Sequence, residues 1–115
     1  MNSPLVGVWE LRSEKLSGLM IFTDTHECHL FNGPHRSPFA TPGEPTDAEA
    51  LDAFWTMRAG AGTYSITGST VTMNEEYDRI PGNPYKFVCE FSIKDDVLTL
   101  QPVRSQSTYK LQKMA

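Results

Sequence analysis

Along most of this chain apolar and polar side chains alternate in short runs, each closed by a turn signal. A period of two marks a strand with one face toward a core. It predicts strands over residues 6–15, 19–23 and 26–31, punctuated by Ser17-Gly18, Asp24-Thr25 and Asn32-Gly33-Pro34. Residues 62–67 and 70–77 form a further pair around Gly68-Ser69, a two-residue hairpin signal. Ile80-Pro81-Gly82-Asn83-Pro84 reads as a turn, because neither proline has an N–H to give a ladder. Strands over 85–93, 97–101 and 106–113 complete a set of eight, with Lys94-Asp95-Asp96 turning the first of these into the second.

The pattern breaks once. Residues 32–45 hold four prolines and two glycines, which suits a surface loop. Thr46-Asp47-Ala48-Glu49 then reads as a capping box, in which the Thr hydroxyl and the Glu carboxylate each accept from the other's amide. Leu51, Phe54, Trp55 and Arg58 follow at helical spacing, and Ala59-Gly60 closes the segment. The expected helix has about three turns and an apolar face to bury, across a barrel's open end or on its outer wall. Together these elements predict an all-β fold: an eight-stranded antiparallel up-and-down β-barrel with one short α-helix between strands three and four.

Composition narrows the classes. A chain of 115 residues fits a single domain, 1–115, that buries about two-thirds of its unfolded surface. Net charge is −4 with no cluster of Lys or Arg, so neither nucleic acid nor anionic lipid is an expected partner. No apolar run approaches the roughly 20 residues a membrane-crossing helix needs. Residues 1–5 lack both a basic stretch and an apolar core, so a secretory signal is not expected and a cytoplasmic setting is. There Cys28 and Cys89, with no Cys-x-x-Cys spacing, are expected reduced, as small apolar strand residues. A closed barrel has no edge strand to pair, which leaves a monomer or a homodimer formed through outer faces.

Four segments carry a family resemblance: Leu5-Val6-Gly7-Val8-Trp9-Glu10-Leu11, Gly18-Leu19-Met20-Ile21-Phe22-Thr23, Ala61-Gly62-Thr63-Tyr64-Ser65-Ile66, and Phe91-Ser92-Ile93-Lys94-Asp95-Asp96-Val97-Leu98-Thr99-Leu100. In order and spacing they resemble the lipocalin-like proteins of bacteria and fungi, within the wider calycin group of barrels. The match spans nearly the whole chain, with the proline-rich loop as the variable part. The resemblance implies a barrel with one end open and the Trp9 ring at its floor. It also implies a basic residue across that indole, for which Lys113 is the matching position, although relatives often carry Arg there. Members of the group include binders of small apolar molecules and cofactor-free isomerases or cyclases.

With Trp9 inward, alternation points Leu11 and Ser13 inward, then Gly62, Tyr64 and Ile66, then Val71, Met73, Glu75 and Tyr77. Phe87, Cys89, Phe91 and Ile93 follow, with Leu98 and Leu100, and with Tyr109 and Leu111. Strand three reads either way, with Cys28 and Leu30 inward or with Glu27, His29 and Phe31 inward. The resemblance favours the second, since relatives place apolar residues at those positions. Candidate ligand contacts are therefore Trp9, Leu11, Phe31, Tyr64, Met73, Phe87, Phe91, Leu100 and Tyr109.

Binding of a small, largely apolar molecule in the barrel is the expected function. The alternative is a cofactor-independent isomerase or cyclase acting on a small hydrophobic biosynthetic intermediate, with His29, Glu75 and Tyr64 moving or polarising protons. An imidazole titrates near neutral pH, and a buried carboxyl rises toward it. A filled barrel that acts through its surface is a third class. No metal is expected, because His26 and His29 stand an odd number apart on one strand and face opposite sides; His35 lies further on, in the loop. No cofactor is expected either: Gly60-Ala61-Gly62 precedes a strand rather than a helix, and no Gly-x-Ser-x-Gly turn is present. Glu76 and Asp78 read as solvated charges on the outer face, with Arg79 beside them.

Overall fold

The computed structural model describes residues 3–34, 36–80 and 85–115, with the backbone alone of Tyr85. Residues 81–84, the heart of the proline turn read from the sequence, and His35 lie outside the described residues. The strands are β1 (Gly7–Arg12), β2 (Ser17–Phe22), β3 (His26–Asn32), β4 (Met57–Thr67), β5 (Thr70–Asp78), β6 (Tyr85–Lys94), β7 (Val97–Pro102) and β8 (Tyr109–Lys113). Helix α1 (Asp47–Trp55) stands between β3 and β4. Each strand pairs antiparallel with the next, and β1 also pairs β8, with Trp9 opposite Lys113 and Leu11 opposite Leu111. The ladder closes on itself, as the alternation predicts. No helix among the described residues is long and apolar enough to cross a membrane.

Two hairpins show how local sequence sets the barrel's register. Gly68 (φ +61°) begins the two-residue link between Thr67 and its partner Thr70. Asp95 (φ +54°) and Asp96 (φ +62°) link Lys94 to Val97. Two left-handed residues in a two-residue loop twist with the strands they join, and Asp is among the few side chains that tolerate this.

One end of the barrel is plugged. Trp9 is buried and its Nε1–H donates to the Leu5 carbonyl at 2.8 Å. Leu5, Phe22, Val71 and Leu98 are buried in the same core cluster. Lys113 Nζ lies 5.8 Å from the centroid of the Trp9 ring, the cation–indole contact the resemblance implies. A side chain at Gly7 (φ +144°) would meet the Ala115 carbonyl at 2.8 Å, so the glycine lets the chain's end fold across the indole.

Three expectations are corrected. Ser13 does not face inward: β1 ends at Arg12, and Ser13 is an exposed turn residue whose Oγ accepts from the Leu16 N–H. The helix stops at Trp55, with the Thr56 N–H bonded to the Asp52 carbonyl, so Arg58, Ala59 and Gly60 belong to β4. Pairing with β3, from Asn32 opposite Met57 to His26 opposite Thr63, overrides helical spacing there. The capping box forms with both its bonds, yet no residue of α1 is buried, and Leu51 and Trp55 are each 60% exposed. Instead, the Arg79 guanidinium lies about 5 Å over the Phe54 and Trp55 rings.

The third correction shapes the site. Ala61 pairs with Tyr77 but Gly62 pairs with Glu75, so Glu76 is an extra residue on β5. Beyond this bulge the alternation inverts. Tyr77, expected inward, is 74% exposed, and Asp78, expected outward, borders the interior.

Candidate functional site

At the end away from Trp9 the barrel holds a cavity of about 470 Å³. Leu11, Met20, Phe31, Phe87, Leu100, Tyr109 and Leu111 supply its apolar wall. His29 reaches it from β3, Arg58 and Ala59 from β4, and Asp78 with Arg79 and Ile80 from the end of β5.

Register explains the polar part. Gly62 pairs with Glu27 on one side and Glu75 on the other, while Gly60 pairs with His29 and Asp78. Cross-strand partners share a face, so two residues without side chains are flanked by four ionisable groups. A Cβ on Gly60 would stand 2.7 Å from Glu75 Oε2 and 2.9 Å from His29 Cε1. The glycine therefore makes room for the cluster. Strand three is settled by the same pairing: Glu27 is buried and His29 and Phe31 are partly so, whereas Cys28 and Leu30 face out.

His29 Nδ1 lies 2.7 Å from Glu27 Oε2 and 3.8 Å from Glu75 Oε1, and the imidazole stacks on Phe31 at 5.5 Å. A proton on Nδ1 donates to Glu27 and leaves Nε2 as the nitrogen open to a bound molecule. Glu27 and Glu75 are each 2% exposed. Taken as carboxylates, Glu27 Oε1 and both Glu75 oxygens have no hydrogen-bond donor among the described residues. A proton on Glu75 supplies one, shared with Glu27.

The electrostatics agree. Burial, reinforced by the Glu27 charge, pushes the Glu75 carboxyl up to about 7. Burial of His29 opposes its protonation, but the Glu27 hydrogen bond and the charges of Glu27, Glu75 and Asp78 prevail and raise it above the usual value. Glu27, His29 and Glu75 are the one set of potential metal ligands close enough to share an ion among the described residues. Their 2.7 Å contact is a hydrogen bond, and binding an ion through Nδ1 would have to break it. Cys89 is buried, and that burial lifts its thiol to about 12, far from a reactive thiolate.

Of the residues singled out from sequence, Leu11, Phe31, Phe87, Leu100 and Tyr109 meet around the cavity with His29. Glu75 sits behind His29. Trp9, Tyr64, Met73 and Phe91 do not line it. Tyr64 packs edge-on against Phe22 and donates its hydroxyl to the Thr23 carbonyl at 2.6 Å, which binds it to the plugged end. Asp78, Arg58 and Arg79 were not among the candidates. The Gly60-x-Gly62 spacing, two gaps on one strand face, was the available signal for a cluster beside it.

Fold and site define a hollow β-barrel with an ionisable floor. Comparisons with protein-family models, with curated proteins and with solved structures found no match for this chain.

Proposed function

We propose that this chain is a lipocalin-like barrel of the calycin kind that binds a small, largely apolar molecule in its interior. The cavity carries this reading. Its volume of about 470 Å³ falls within the range of small-molecule sites, roughly 300–1,000 Å³, and a barrel filled by its own side chains would leave no such space. Cys28 and Cys89 are unpaired, which supports a reducing, cytoplasmic setting. Native mass spectrometry of protein purified from its own cells is expected to show a retained small molecule, sharply reduced in Leu100→Trp, whose larger side chain takes up part of the cavity. Undiminished retention by the folded Leu100→Trp variant would place binding elsewhere and overturn the reading.

The buried dyad favours a second reading, in which the bound molecule is isomerised or cyclised without a cofactor. His29, held protonated against Glu27, would donate from Nε2 to a substrate oxygen. Asp78, across Gly60 on the same face, is the carboxylate able to accept a proton. Cyclohex-3-enone tests this chemistry: one proton leaves the carbon beside the carbonyl and one returns to the far alkene carbon, giving the conjugated enone. Wild type is expected to exceed buffer, and His29→Gln to lose about a hundred-fold. Equal rates for the two proteins would remove the catalytic reading and leave binding intact.

A further inference from the structure

The rim of the cavity carries one positive charge that nothing among the described residues answers. Arg58 pairs with Phe31 across the β3–β4 ladder, so it lies on the inward row of β4 with Gly60 and Gly62, at the open end. Both Arg58 and Phe31 border the cavity. The other charges there are engaged. Arg79 donates to the Phe54 carbonyl and lies over the Phe54 and Trp55 rings. Asp78 Oδ1 accepts from the Ile80 N–H at 2.9 Å, and Glu27 faces His29. The Arg58 side chain is exposed, and no side-chain hydrogen bond or ion pair joins it to another described residue.

Arg58 is thus an exposed positive charge at the rim with no side-chain partner among the described residues, in a chain whose net charge is −4. A guanidinium presents a flat fork of N–H donors that matches a carboxylate with two parallel bonds.

We propose that the molecule this barrel takes is an amphipathic organic acid, its carboxylate at the rim against Arg58 and its apolar body among Leu11, Phe31, Leu100 and Tyr109. This rests on the cavity-binding reading above and adds the ligand's chemical class and direction of entry. The uncharged end goes in first and comes to rest beside His29.

A matched pair of probes separates the two ideas: 2-naphthylacetate and 2-(2-naphthyl)ethanol, which share a ring and differ in charge. Titration calorimetry on wild type is expected to show the acid binding about ten-fold tighter than the alcohol, with the difference shrinking at high salt. Arg58→Gln is expected to bring the two within about two-fold, chiefly by weakening the acid, and Arg58→Lys to keep part of the preference. Equal affinity in wild type, or an acid preference that survives Arg58→Gln, overturns the acid proposal and leaves the cavity reading standing. Failure of wild type to bind either probe, matched by a silent Leu100→Trp, overturns both.

Discussion

Gly60 shows how much a single absent side chain decides. Any Cβ there would press on Glu75 Oε2 and His29 Cε1 at under 3 Å. Gly60→Ala is therefore expected to cost about 1–3 kcal/mol, read by urea unfolding, and to disturb the His29 imidazole signals in NMR. Unchanged stability and unchanged signals would mean the cluster does not lie over the glycine. The cluster also makes stability depend on pH. His29 and Glu75 both hold their protons more tightly in the folded chain, so folding binds protons and stability falls as pH rises. The Glu75 contribution is complete below its ordinary 4.5 and is lost as pH climbs through about 7. That of His29 is complete below 6.5 and is lost above it. Glu75→Gln, whose amide can still donate to Glu27, should flatten the Glu75 part of this slope. Above neutral pH the variant should exceed wild type by an amount on the order of a few kcal/mol. Parallel stability curves for the two proteins would show that Glu75 does not titrate in that window.

At the scale of elements, the strands were legible and their irregularities were not. Alternation identified the eight strands, and the inward rows of β6, β7 and β8 hold Cys89, Leu98, Leu100 and Leu111 as expected. Ile93 keeps that face too, opposite Leu98, but at the strand's end, where it is 37% exposed. The bulge at Glu76 is invisible in sequence because one added residue leaves composition unchanged and only reverses facing, which moved Asp78 in and Tyr77 out. Arg58 was misplaced for a different reason: its helical spacing from Leu51 and Trp55 is real, but ladder bonds to β3 prevail after Thr56. The helix that remains is held by its caps and by Arg79 rather than by burial. Hydrogen exchange is accordingly expected to be fast in α1 and slow in β4 and β5. Thr46→Ala should speed exchange in α1 further while shifting global unfolding by no more than about 1 kcal/mol. Protection of α1 equal to that of the barrel strands would mean the helix is packed more firmly than its 60% exposed Leu51 and Trp55 imply.

Across the whole molecule the barrel is asymmetric, packed solid around Trp9 and hollow toward Arg58, and two leucines on one strand measure the difference. Leu98 is fully buried in the plugged half, opposite Leu111 and Ile93. Leu100, two residues on and on the same face, is equally shielded from solvent but borders the cavity. Removing methyl groups from close-packed surroundings costs the transfer energy and a new void, whereas beside an existing void fewer contacts are lost. Leu98→Ala is expected to cost about 3–5 kcal/mol, a large share of a typical domain's 5–15 kcal/mol, and Leu100→Ala nearer 2. Ligand affinity should move in the opposite order, changing in Leu100→Ala and holding in Leu98→Ala. The two tryptophans allow the comparison to be followed optically. Trp9 is 1% exposed and should resist acrylamide quenching until global unfolding, so a Trp55→Phe background isolates it as the reporter. Equal costs for the two leucine truncations would mean that side chains close the cavity in solution, and the space on which ligand binding depends would be gone.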